Sequence, residues 1–349
     1  MSDIASNPES GGIGRLAELI HGNPMDRLDT DMRHVIEALA ELGARPLEQS
    51  SPDTARRQPK MIDAISAIMA RQGRAPSEDG VSTEDITFKG AEDDLAARVY
   101  RPVGLLSRLN PMIAYFHGGG FVTGDLDMHD ASARALARRT GAIVVSLDYR
   151  LGPEHKFPAA HEDAYAAWRW LVGAARELGG DPRRIAVAGE DAGANLALNV
   201  ALMARDAHFT QPLAQLLIHP IAGSDMSRPS YGETLRARPI GMPGMQWRMR
   251  HELEDREQMS DPRIDLASRA DLAGVAPATI ILAEIDPLRS EGEALAEALE
   301  AAGVNVTCTV HEGVTQGFFG LGLIVTKALF AQSEAAEALN QVFGRGRRG

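Results

Sequence analysis

The chain has 349 residues, 44% of them hydrophobic and 24% charged, which fits one large globular core with an accessory region rather than several independent modules. Its formal net charge of −12 comes from acidic residues that are spread rather than blocked, and this disfavours any electrostatic grip on nucleic acid or an anionic membrane. A single cysteine, Cys308, precludes an intramolecular disulfide, no apolar run is long enough to span a bilayer, and the N-terminus has no signal-like pattern, so a cytoplasmic protein is expected.

Residues 1–80 are expected to form an N-terminal helical cap segment, because apolar positions recur at helical spacing in Met32-Arg-His-Val-Ile-Glu-Ala-Leu-Ala-Glu-Leu and again in Lys60-Met-Ile-Asp-Ala-Ile-Ser-Ala-Ile-Met-Ala. From Val81 the pattern changes to strands, at 82–88, 96–100 and 112–116, with the first two close enough to pair as antiparallel neighbours. Further apolar runs at 142–147, 185–188, 214–219, 278–283 and 304–310 alternate with amphipathic helical segments. Short, nearly continuous apolar strands separated by helices predict an α/β fold, a mostly parallel sheet covered on both faces, over residues 81–343. Cys308 falls in the last run and is expected to be a buried strand residue. Between about 223 and 261 the alternation lapses into a stretch rich in methionine and arginine, read as a cap insertion whose methionines are either adaptable pocket lining or gap-filling. Residues 344–349 form a polar tail.

The segment Ile185-Ala-Val-Ala-Gly-Glu-Asp-Ala-Gly-Ala-Asn-Leu-Ala places Asp191 at the centre of a Gly-x-x-x-Gly turn between a strand and a helix. A side chain on such a turn stands at the mouth of a pocket, facing the first free N–H groups of the helix. Two readings are open: Asp191 does chemistry there, or it merely caps the helix, since Asp is a favoured N-cap. No phosphate-loop or metal-ligand motif occurs, and no cofactor is expected.

Three segments in this order resemble the hormone-sensitive-lipase branch of the α/β-hydrolase superfamily, the esterases with an HGGG loop. They are His117-Gly118-Gly119-Gly120-Phe121; Asp148-Tyr149-Arg150-Leu151-Gly152-Pro153-Glu154-His155, similar to the YRLAPE segment; and Gly189-Glu190-Asp191-Ala192-Gly193, where the family has G-D-S-A-G. The resemblance covers essentially the whole chain and implies an α/β-hydrolase fold, an eight-stranded mostly parallel sheet with a helical cap. It also implies an oxyanion hole from Gly118, Gly119 and Gly120 with Ala192, an acid at Asp286, and a general base in His311-Glu-Gly-Val-Thr-Gln-Gly-Phe-Phe, where Gln316 stands in place of the family's histidine. Glu190, in place of the usual Asp, and His117 are possible supporting residues. His311 is expected to be a structural surface histidine, and His129 either lies near the pocket mouth or starts a helix.

Glutamine does not titrate near neutral pH, so it cannot activate a serine-type nucleophile or a water, and an ordinary serine-esterase cycle is excluded. A carboxylate with an ordinary pKa of about 3.9 is already ionised and needs no base to attack carbon, as in haloalkane dehalogenases and epoxide hydrolases of the same superfamily. Without a histidine, turnover requires either a water activated by another carboxylate, Glu190 or Asp286, or an intermediate resolved by the substrate's own group. The Asp191 carboxylate is also long enough to fold into the oxyanion hole and fill it, which suits a silent binder such as the plant gibberellin receptors of this branch. The expected function is therefore a hydrolase-type enzyme using Asp191 as nucleophile or acid/base on a small, largely apolar ester- or carbonyl-type molecule. The alternatives are a ligand-binding pseudo-hydrolase or a lyase, isomerase or cyclase. A small molecule is the expected partner, with no nucleic acid and no membrane, and a homodimer is open.

Overall fold

The computed structural model describes residues 22–74, 80–104 and 109–344. At its centre strand β3 (Asn110–Phe116), third in chain order, is buried at every position, as a strand covered on both faces must be. Its residues alternate: Met112, Ala114 and Phe116 join the core on one face of the sheet, and Ile113 and Tyr115 join the core on the other. Before it come β1 (Val81–Lys89) and β2 (Asp94–Pro102); after it come β4 (Ile143–Leu147), β5 (Gly180–Glu190), β6 (Gln215–Ile218), β7 (Ala278–Ile285) and β8 (Val306–Thr315). All eight form one sheet in the order β1-β2-β4-β3-β5-β6-β7-β8. The expected antiparallel pairing of β1 with β2 is present, β2 is also antiparallel to β4, and every remaining pair is parallel.

Helices α1 (Thr30–Glu41), α2 (Pro52–Arg57) and α3 (Met61–Arg71) precede the sheet, and α4 (Asp130–Thr140), α5 (Ala159–Ala174), α6 (Ala192–Asp206), α7 (Pro229–Glu233), α8 (Met242–Glu252), α9 (Arg289–Ala301) and α10 (Thr326–Val342) follow. The apolar stripes of α1, α3, α4 and α10 pack on the Ile113–Tyr115 face, through Met32, Val35, Ile65, Leu136 and Leu339 among others. The opposite face is covered by α5, α6 and α9, through Trp168, Leu198 and Leu295. This is the expected α/β-hydrolase architecture. The helix α8, within the stretch where the alternation lapses, has no single apolar stripe: Gly244, Met245, Trp247, Arg248, Met249 and Glu252 are all buried.

Two expectations are corrected at the sheet's last strand. Cys308 is exposed rather than buried, because β8 has no strand beyond it and its apolar alternation is only partly covered. His311, expected at the surface, is buried, with Nε2 at 3.2 Å from Glu334 Oε2 on α10. Residues 345–349 of the expected tail, and the first 21 residues of the expected cap segment, lie outside the described residues.

The YRLGPE-like segment is held by charge. Arg150 Nε and Nη2 donate to Asp163 Oδ2 at 2.7 Å and Oδ1 at 3.1 Å, and the Arg150 N–H donates to Oδ2 at 3.1 Å. Arg150 and Asp163 are both buried, so removing one leaves the other as an uncompensated charge in the interior. Arg150→Met is therefore expected to lower the unfolding free energy by about 3–5 kcal/mol, read as a fall in the urea midpoint. A midpoint unchanged from wild type would show that the pair contributes nothing.

Candidate active site

Asp191 lies between the last residue of β5 and the first of α6 with φ 56°, a left-handed conformation that is strained for a residue with a Cβ. The surroundings over-determine it. Its N–H donates to Ile218 O at 2.9 Å, and its carbonyl accepts from the N–H groups of Ala194, Asn195 and Ile221 at 3.2, 3.3 and 3.2 Å. The strain and the four bonds aim the side chain away from the helix, and it makes no capping hydrogen bond. The capping reading of Asp191 is thus set aside by geometry.

The carboxylate instead enters the HGGG loop. Asp191 Oδ2 accepts from Gly119 N–H at 2.9 Å and Gly120 N–H at 2.8 Å. Both loop positions require glycine: φ is 127° and 61°, and an added Cβ would lie 1.9 Å from Thr123 O at Gly119 and 2.1 Å from Arg248 Cδ at Gly120. Asp191 Oδ1 accepts from Gln316 Nε2 at 3.2 Å and from Arg248 Nη1 at 3.2 Å, and the same Arg248 nitrogen lies 3.1 Å from Oδ2. All three side chains are nearly inaccessible, with exposures of 3% for Asp191, 6% for Arg248 and 5% for Gln316. Burial strengthens this ion pair and forbids either partner from standing alone.

Arg248, on α8, is the functional residue that sequence reasoning missed. The methionine- and arginine-rich stretch was read as lining or filler, and the one available signal was an unexplained Arg between apolar residues on a helix with no polar face. His219, directly after β6, was missed as well, since no motif marks it. It stands at φ 36° with Nε2 3.5 Å from Glu190 Oε2. Glu190 Oε1 also accepts from the Tyr115 hydroxyl at 2.6 Å. Burial works against the Glu190 charge, yet the His219 imidazole beside it holds the carboxyl down at about 2. Burial likewise opposes the His219 charge, and Glu190 overcomes this and raises it. His219 Nε2 also lies 3.3 Å from the Gly317 N–H, and the Tyr115 hydroxyl and the His219 ring occupy the two Glu190 oxygens, so Glu190 is not free to activate a water.

The remaining predicted residues divide. Gly118 is not part of the oxyanion hole: its N–H donates to His129 Nε2 at 3.2 Å. Burial pulls His129 down to about 4, so its ring is neutral, and acceptance at Nε2 puts the proton on Nδ1. His129 both precedes α4 and lines the cavity, which joins its two predicted roles. The Ala192 N–H is not among the donors to the Asp191 carboxylate, which leans toward the loop rather than along the helix. His117 is a support: its Nδ1–H donates to Gly118 O at 2.8 Å, its ring stacks on Tyr149 at 4.3 Å, and the Tyr149 hydroxyl donates to its carbonyl at 2.7 Å. Asp286, fully buried after β7, accepts from Leu288 N–H at 2.8 Å through Oδ1, while Oδ2 has no hydrogen-bond partner among the described residues. Burial raises its carboxyl to about 6, and it lies close enough to feel the charge of Asp191.

A cavity of about 260 Å³ opens beside this centre. Apolar side chains including Ile36, Leu39, Met61, Ile62, Ile240 and Leu321 form most of its wall, and its polar lining includes buried His129, Ser132, Glu190, Arg248 and Gln316. Among the described residues no cluster of side chains has the makings of a metal site.

Comparison with known proteins agrees with the sheet and the motifs. The sequence profile of the alpha/beta hydrolase fold family matches residues 113–320. The chain is 41% identical over 252 residues to carboxylesterase NlhH of Mycobacterium tuberculosis, covering 71% of this chain and 78% of that one. It is 34% identical over 302 residues to an ethyl acetate hydrolase of Pseudomonas putida, covering 85% and 92%. A hyperthermophilic esterase from Pyrobaculum calidifontis superposes with a TM-score of 0.80 at 36% identity, covering 90% of this chain and 98% of the other. The chain therefore belongs to the α/β-hydrolase fold family and takes its place among that family's hydrolases, with an aspartate on the elbow and a glutamine opposite it.

Proposed function

We propose that the protein is a hydrolase for a small, largely apolar ester- or carbonyl-type molecule, and that Asp191 replaces serine as its reacting group. One observation carries this reading: Asp191 Oδ2 already sits on the Gly119 and Gly120 N–H groups, which leaves Oδ1 as the oxygen turned toward Gln316 and Arg248 at the cavity wall. If Oδ1 attacks the saturated carbon on the alcohol side of an ester, a C–O bond forms and the substrate's carboxylate departs with its electron pair. In the resulting aspartyl ester, Oδ2 becomes the carbonyl oxygen and is in the hole from the start. Water then adds at the Asp191 carboxyl carbon, the carbonyl electron pair moves onto Oδ2, and the two glycine N–H groups stabilise the oxyanion; its collapse breaks the Cγ–Oδ1 bond, and the alcohol leaves with the proton that the water gave up. Asp286 is the group with a free oxygen and a suitable pKa to take the proton from that water; Gln316 can only orient it. Arg248 and Gln316 must release Oδ1 before attack, so turnover is slow. The N-terminal helices and the 223–261 stretch act as the cap over the cavity.

A second reading is favoured by a separate observation. Both Asp191 oxygens are saturated by donors and the charge is neutralised by Arg248, so the same arrangement closes the hole permanently in a ligand-binding protein. Intact mass after incubation with a panel of activated esters, haloalkanes and epoxides separates the two. A covalent adduct mapped to Asp191 supports the enzyme; no adduct and no turnover from any of them sinks it in favour of the binder.

Four outcomes are expected of the enzyme. Hydrolysis of the aspartyl intermediate should rise with pH through about 6, where Asp286 ionises, and should lose that step in Asp286→Asn; a profile flat from acid to neutral pH removes Asp286 from the mechanism. Asp191→Asn should abolish adduct formation and also lower stability by about 3–5 kcal/mol, because it strands the buried Arg248; a denaturation midpoint equal to wild type would contradict the ion pair. The wild type should be a poor esterase on nitrophenyl acetate and indifferent to phenylmethylsulfonyl fluoride. The combination Asp191→Ser, Gln316→His and Arg248→Met empties the hole, removes the stranded guanidinium and assembles a Ser–His–Asp triad, so it should gain esterase activity of about 100-fold or more. A folded but inactive combination means that the cavity itself no longer admits esters.

A further inference from the structure

The cavity beside Asp191 runs against the charge of the whole protein. The chain has 36 basic residues and 48 acidic ones, yet the cavity is lined by Arg45, Arg56, Lys60, Arg238 and Arg248 with Glu190 the one acidic residue among the described lining. These cations are not equivalent. Arg56 is held by Glu154 at 2.7 Å, Lys60 by Asp125 at 2.6 Å, and Arg248 by Asp191 at 3.1 Å. Arg45 and Arg238 are exposed, and neither has a carboxylate within ion-pairing distance among the described residues. Among the described residues, two exposed arginines without a carboxylate partner therefore line the cavity.

The buried end is different. Arg248 carries an Nε–H with no hydrogen-bond partner, and its side chain is more than nine-tenths buried. The Arg248 charge is already balanced by Asp191, and the ionised Glu190 also lines this end, so a second anion there would be repelled while a neutral carbonyl oxygen would satisfy the Nε–H. Between the two ends the wall is apolar, from Ile36, Leu39, Met61, Ile62 and Leu321.

We infer that the ligand of this cavity is a two-ended molecule: a neutral ester or other carbonyl group at the buried end, an apolar chain, and a carboxylate at the mouth, held by Arg45 and Arg238. The chemical class is the half-ester of a dicarboxylic acid, or a carboxylic acid with a distal carbonyl. The inference rests on the proposed reading that this cavity holds the ligand, and it does not depend on whether Asp191 forms a bond. Because the guanidinium groups at the mouth are exposed, their contribution is sensitive to ionic strength.

The test is calorimetric titration of the full chain with two hydrolysis-resistant probes of equal length, suberamate with one carboxylate and suberamide with none. Wild type should bind suberamate about tenfold more tightly than suberamide at low salt, and the preference should fall to within about twofold at 0.5 M salt. The double variant Arg45→Glu, Arg238→Glu, altered only at exposed positions, should lose the preference or reverse it. Equal or tighter binding of suberamide by wild type overturns the inference. So does a preference for suberamate that survives in the double variant, and so does the absence of measurable binding by either probe. Failure of the Asp191 nucleophile reading shows up as missing adduct and leaves this titration unaffected.

Discussion

The ion pair and hydrogen bonds around the Asp191 carboxylate fix the rest of this site. Two glycine N–H groups, one amide N–H and one guanidinium nitrogen converge on two buried oxygens. In such surroundings a carboxylate without those donors, or a guanidinium without that carboxylate, is unsustainable. The elbow holds Asp191 at a strained φ, the loop is glycine because Thr123 and Arg248 crowd it, and α8 places Arg248 with no amphipathic stripe to betray it. Each feature makes sense only with the others in place. A serine on the elbow leaves the hole open for a substrate oxygen; here the protein supplies the oxygen itself.

A second buried charge system lies behind the first. Tyr115, Glu190 and His219 are contributed by β3, β5 and the end of β6, adjacent or nearly adjacent strands whose C-terminal ends meet beneath the elbow. The His219 ring in contact with Glu190 outweighs burial and holds that carboxyl down, whereas Asp286 feels His219 and Arg248 only at a distance, and there burial wins and raises it. Neighbouring buried carboxyls are thus driven in opposite directions by whether the nearby cation makes direct contact.

The cavity has a division of labour that follows from its construction. Its inner end is made of loop, elbow and α8, where the Arg248 Nε–H is left without a hydrogen-bond partner, and its wall is made by the apolar stripes of α1 and α3. Those helices need the sheet to bury one side and leave residues such as Ile36 and Met61 to face the cavity, so the same amphipathic pattern that docks the helices also supplies a greasy wall.

The sheet, the loop and the elbow are legible in the chain alone. Alternating apolar runs of strand length, the glycine triplet and the Gly-x-x-x-Gly turn are local patterns, imposed by backbone geometry and by burial on both faces of a parallel sheet. The side chains at 191 and 316 are read from the same local patterns, but whom they meet is settled by packing across the fold. The Asp191 side chain was open to capping or chemistry because both begin from the same helix-start position, and the choice was made by contacts with residues 71 and 72 positions away in the chain. Arg248 and His219 carry no local signature, since a buried charge is recognisable only by its partner, and partners come from distant segments. Cys308 shows the converse: its apolar alternation was read as buried, but a strand's place at the end of the sheet is set by how the other strands assemble, and solvent at that end was written nowhere in its own neighbourhood.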